Sequence, residues 1–81
     1  MGGSQGAKAH ARVDARSRVG LNVQELRRAR GLSQEELAHR AEVHQTYLSG
    51  VERGKRNPSV MVLARIAGGL DTDLEDLVRR R

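Results

Sequence analysis

"LSQEELAHRAEVHQTYLSGVERGKRNPS", residues 32–59, is the stretch whose reading decides the fold. Ser33 precedes Glu36 by three residues, and Leu32 and Leu37 flank the pair. At this spacing the serine hydroxyl can accept from the Glu36 amide while the Glu36 carboxylate accepts from the Ser33 amide. The two leucines can staple across the first turn, so the spacing predicts a helix that starts at Ser33. Glu35 and Glu36 then lie where the helix dipole favours negative charge, by about 0.3–1 kcal/mol each. Leu37, Ala38 and Ala41 carry a helical period, which breaks and restarts at Val43, Leu48 and Val51. Two short helices sharing one core across a tight turn account for both phases, with Ala38 small enough to let them approach.

That pattern is a helix-turn-helix, and the flanking sequence extends it on both sides. Val19, Val23 and Leu26 predict a helix over residues 19–30, ended by Gly31 in a left-handed conformation. Downstream, Pro58 keeps Asn57 out of helical geometry and Ser59 caps a fourth helix that buries Leu63, Ile66, Ala67 and Leu70. A fifth helix starts from Asp73, buries Leu74 and Leu77, and runs into the basic end Arg79, Arg80, Arg81. Strand signals are missing, since β-branched runs are short and Phe and Trp are absent. The fold expected is all-α, five helices over residues 19–81. Residues 1–18, rich in Gly, Ser, Ala and basic side chains, have little apolar surface to offset ordering entropy and are read as a mobile basic arm, with a nascent helix open over residues 7–18.

Composition narrows the function. The 81 residues hold no cysteine and carry a formal net charge of +5. A disulfide framework and a thiolate metal site are therefore excluded, and a polyanionic partner is favoured, although charge alone does not separate nucleic acid from an acidic membrane surface or from a merely solvated face. No targeting signal or membrane-spanning run is apparent, so the expected location is the cytoplasm, with no membrane partner. His10, His39 and His44 lack ligand spacing, and Ser33, Ser49 and Ser59 have no paired base. Neither a metal, a cofactor nor an enzyme is expected.

Residues 19–78 resemble the lambda-repressor-like DNA-binding domain of the Xre/Cro regulators, on the strength of "ELRRARGLSQEELAHRA" and "YLSGVERGKRNPS". Within that family, "HQTYLSGVERGKRNPS" is similar to the controller proteins of restriction-modification operons. The resemblance implies a sequence-specific transcriptional regulator that binds double-stranded DNA. It places Gln45, Thr46, Ser49 and Gly50 on the base-reading face of the third helix, where Gln suits adenine and Thr or Ser suits several base edges. Gly50 would permit close approach without a readable contact. Gln34 matches a phosphate-binding position, and Tyr47 is either a core residue, a phosphate ligand or both. Arg53, Lys55, Arg56 and Asn57 form a loop placed to hold the DNA backbone, or else a solvated charge run. Glu52 matches a position that pairs with a first-helix arginine, here Arg27, in a structural ion pair. Two departures stand out: Glu42 falls where the family has a turn glycine, and His44 replaces the Ser or Thr that caps the third helix.

One reading helix covers only a few base pairs, so a homodimer on a palindromic operator is expected. Met61, Val62, Leu74, Leu77 and Val78 are the residues assigned to its interface. The alternative is a protein-interaction module, an antitoxin or coactivator-type relative, whose partner is a toxin or RNA polymerase and whose apolar surface is the same.

Overall fold

The computed structural model describes the backbone of residues 2–80 and the side chains of residues 15–80. Five helices and no strand make up the described residues: α1 (Gly2–Ala29), α2 (Gln34–Ala41), α3 (Gln45–Glu52), α4 (Val60–Gly69) and α5 (Leu74–Val78). The expected order is reproduced, and α2, α4 and α5 start directly after Ser33, Ser59 and Asp73 as expected, but α5 stops at Val78 and Arg79 is extended, so the basic end does not continue the helix. The first helix differs. It begins at Gly2 instead of Val19, because the Ala, Arg and Gln of this stretch are good helix formers and the packed part downstream supplies the nucleus from which the helix extends. Expectations about the side chains of the arm up to Asp14 lie outside the described residues. Within the described part, a Cβ on Gly54 would come within 3.2 Å of Ser17 Oγ, so α1 already packs against the loop after α3 at Ser17.

The caps act as their spacing predicts. Ser33 Oγ accepts from the Glu36 amide at 3.0 Å and Glu36 Oε1 accepts from the Ser33 amide at 2.9 Å. The Ser33 amide thereby holds the Glu36 carboxyl below its ordinary pKa. The capping contribution is present above the unfolded pKa of Glu36 and fades as pH falls through the lowered folded value. Gly31 closes α1 at φ +66°, and Ser59 caps α4 by accepting from the Val62 amide at 3.1 Å. Asp73 is extended at the start of α5 but makes no side-chain cap bond; the Thr72 hydroxyl donates to Asp76 instead and lowers that carboxyl's pKa.

Val23, Leu37, Leu48, Ile66, Leu70 and Leu77 are fully buried at the centre, with Ala38, Ala41 and Ala67 where helices approach most closely. Val19, Leu26, Val43, Tyr47, Val62 and Leu74 pack around them half-buried. Leu77 requires a correction: at 0% exposure it belongs to the core of the single chain and is not available to an interface. Its position is fixed by the buried Asn22, whose Nδ2 donates to the Leu77 carbonyl at 2.9 Å and to the Arg79 carbonyl at 3.0 Å. Gly20 lies at a close crossing of two helices. A Cβ there would lie 2.5 Å from the Glu52 carbonyl oxygen and 2.6 Å from that of Val51, so α1 lies directly on the C-terminal turn of α3.

Candidate nucleic-acid interface

The turn between α2 and α3 takes the left-handed form that a glycine would adopt more easily. Glu42 has φ 58° and ψ 45°, and its amide donates to the Ala38 and His39 carbonyls. The Val43 amide donates to the Ala38 carbonyl at 3.0 Å. Glu42 thus accepts the strain anticipated for a residue with a Cβ, of roughly 1 kcal/mol. His44 opens α3 in extended geometry without a side-chain cap bond.

The far end of α3 is held much more firmly. Glu52 is 4% exposed, and its carboxylate accepts from Arg27 Nε at 2.7 Å, Arg27 Nη2 at 3.0 Å and Gln34 Nε2 at 3.0 Å. Its backbone carbonyl accepts from Gln24 Nε2 at 2.8 Å. Arg27 also donates to the Leu32 carbonyl at 2.9 Å, and its hydrogen bonds to the Glu52 carboxylate raise its pKa above the ordinary value. Groups from α1 and α2 therefore converge on the last residue of α3. Gln34, implied as a phosphate ligand, spends one amide hydrogen on Glu52; a second remains on the same nitrogen.

With its C-terminus pinned in this way, α3 leaves Gln45 and Thr46 exposed to solvent and Ser49 partly so. Tyr47 is half-buried, its ring packed on the core. Gly50 is not an open reading position. It is buried, and the space above it is filled by Arg56, whose Cγ lies 2.8 Å and Nε 3.2 Å from where a Cβ would stand. The close approach that Gly50 permits is taken by this chain's own arginine. The Arg56 guanidinium reaches on to lie 5.6 Å from the centre of the Tyr47 ring, within cation–π range. Arg53, Lys55 and Asn57 are exposed in the same loop. The loop leaves α3 through Gly54 at φ +73°, with the Lys55 amide donating to the Gly50 carbonyl at 2.8 Å.

Four contributors escaped the sequence reading: Gly20, Asn22, Gln24 and Arg65. Asn22 stands three residues from Val19 on the inward face, a polar interruption of an apolar stripe that does signal a buried role. Gln24 lies three residues before Arg27 on the same face. Gly20 and Arg65 carry no local signal. Met61, Val60 and Val78 are 72%, 65% and 44% exposed, whereas Val62 and Leu74 are half-buried against the core.

A Helix-turn-helix family model matches residues 23–77. The chain belongs to the Helix-turn-helix family. An uncharacterised HTH-type transcriptional regulator of Sinorhizobium fredii is 46% identical over 66 residues, covering 82% of this chain and 86% of the relative. The control protein C.SmaI of Serratia marcescens is 35% identical over 85% of this chain and 82% of its own length. Among solved structures, the restriction-modification controller protein C.AhdI from Aeromonas hydrophila superposes with a TM-score of 0.75 at 40% identity, over 76% of this chain and 94% of that one. This helix-turn-helix chain is a DNA-binding transcriptional regulator, and the α2–turn–α3 unit is its defining motif. No helix among the described residues is long and apolar enough to cross a membrane.

Proposed function

We propose that this regulator reads a palindromic operator as a cytoplasmic homodimer, with α3 of each protomer in a major groove, and that it serves as a restriction-modification controller. The observation that carries the reading is the asymmetry of α3: exposed Gln45 and Thr46 at its N-terminal end, and a C-terminal end held by Arg27, Gln34 and Gln24 at Glu52. Such an element can offer side chains to base edges without losing its own orientation. Arg53, Lys55 and Arg56 beside it supply cationic groups for phosphates. The similarity to C.SmaI and C.AhdI favours the controller role over other duties of a small regulator.

Replacing Gln45 or Thr46 by Ala is expected to relax preference at one base position per half-site. The loss is about 1–3 kcal/mol on a duplex selected from a random pool and little on random DNA. Equal losses on both DNAs would remove these residues from the reader role. Arg56→Ala should weaken all sequences alike and make the slope of log affinity against log salt shallower by about one unit; an unchanged slope means that Arg56 meets no phosphate.

Two-fold pairing would set two α3 helices about 34 Å apart, one turn of duplex. Met61 and Val78 are the exposed members of the assigned interface, and Val60 joins them as apolar surface. Val62 and Leu74 are available only at their outer edges. Val78→Asp should give helical monomers that lose cooperative binding to a full palindrome, as read by sedimentation across a concentration series. A parent chain that stays monomeric and binds a half-site as well as the palindrome would defeat the dimer. If tight binding to a toxin or to RNA polymerase accompanied that result, the same apolar surface would belong to a protein partner.

A further inference from the structure

The α2–α3 turn is strained at Glu42 and uncapped at His44, yet it sets the angle at which α3 leaves α2. A left-handed residue with a Cβ disfavours this form about fivefold, and the last carbonyls of α2 have no partner within their own helix. Both deficits are met from α4. Arg65 Nε donates to the Ala41 carbonyl at 3.1 Å and its Nη2 donates to the Glu42 carbonyl at 3.0 Å. A guanidinium is a rigid planar fork, so the two bonds fix both carbonyls relative to each other, which a lysine ammonium at one point does not. The helix that carries the fork is itself closely packed on α2. Ile66 beside Arg65 is fully buried, and Gly69 lies so close to α2 that a Cβ would come within 2.9 Å of Leu37 Cδ1.

We infer that Arg65 is a positioning residue for DNA reading, clamping the α2–α3 turn in its left-handed form so that α3 keeps a single angle to the duplex. The inference rests on α3 being the reader. Its distinguishing consequence is a dependence on what occupies position 42. With glycine there the turn adopts the left-handed form unaided, and the clamp has little left to supply. The effects of Arg65 and Glu42 must therefore be non-additive.

The test uses the full chain, a duplex selected from a random pool and its one-base variants. Arg65→Met keeps the stem and removes the fork; Arg65→Lys keeps the charge. Either is expected to lower the preference for the selected duplex about fivefold, and Arg65→Met in a Glu42→Gly background to lower it less than twofold. Amide exchange at Val43 in the free protein should quicken in Arg65→Met and return in the double variant, a readout independent of DNA. Equal losses in both backgrounds, full recovery by lysine or unchanged exchange would overturn the clamp. Should Arg65→Met fail to fold, recovery of a cooperative melt in the double variant supports it and equal failure overturns it. Quickened exchange with discrimination that depends on neither Arg65 nor Gln45 would instead overturn the reader assignment beneath it, whereas discrimination that depends on Gln45 but not on Arg65 sinks the clamp alone.

Discussion

Glu52→Ala is expected to destabilise the domain by about 3–5 kcal/mol, because it leaves the Arg27 guanidinium enclosed without its counter-charge. The Arg27 and Glu52 side chains are only 12% and 3% exposed, so water replaces the lost partner only in part. Against a total stability of about 5–15 kcal/mol for a typical domain, that loss leaves a fold near its limit, and operator binding fails with it. Replacing both partners, Arg27→Met with Glu52→Leu, should cost much less than the sum of the two single changes, since an apolar pair of similar volume carries no desolvation penalty. Urea titrations of the four proteins measure the coupling. Simple additivity would show that the pair does not hold α3.

Leu77 and Val78 should give opposite outcomes although they are neighbours. Leu77→Ala is expected to cost about 2–5 kcal/mol as a core cavity, and Leu77→Asp to lower the thermal midpoint seen by circular dichroism further still. Val78→Asp, at a position 44% exposed, should melt close to the parent. If Leu77→Asp gave a stable helical monomer, the side chain would belong to a surface after all.

Most of the architecture was legible because its signals are local. The reciprocal bonds of Ser33 and Glu36, the cap at Ser59 and the left-handed Gly31 involve residues within a few positions of each other, where spacing alone settles geometry. The pairing of Arg27 with Glu52 was legible only through family resemblance, because a separation of 25 residues leaves no periodic trace. The start of α1 is not legible from apolar content, because a stretch with few core-forming residues can still have the helix propensity to continue an existing helix. The inward turn of Leu77 was ambiguous for a different reason. A helix of five residues completes too few turns for its apolar positions to define one face. Arg56 over Gly50 and Arg65 over the α2–α3 turn depend on where flexible stems come to rest across an interhelical gap, which no spacing encodes.

The two bonds from Asn22 to the end of α5 have a consequence for how the chain opens. A helix of five residues is far below the length at which the cost of nucleation is recovered in isolation. Leu74–Val78 can be helical only while α1 is present to receive Leu77 and to offer the Asn22 amide, partners separated from it by 55 residues in sequence. α5 is therefore expected to be the first segment to leave the native state. Its amides should exchange through a local opening of lower free energy than global unfolding. Each such opening would uncover Leu77, which is fully buried in the closed chain, and the expectation is that α2, α3 and α4 remain assembled meanwhile, so that the DNA-reading unit outlasts the segment that completes its core.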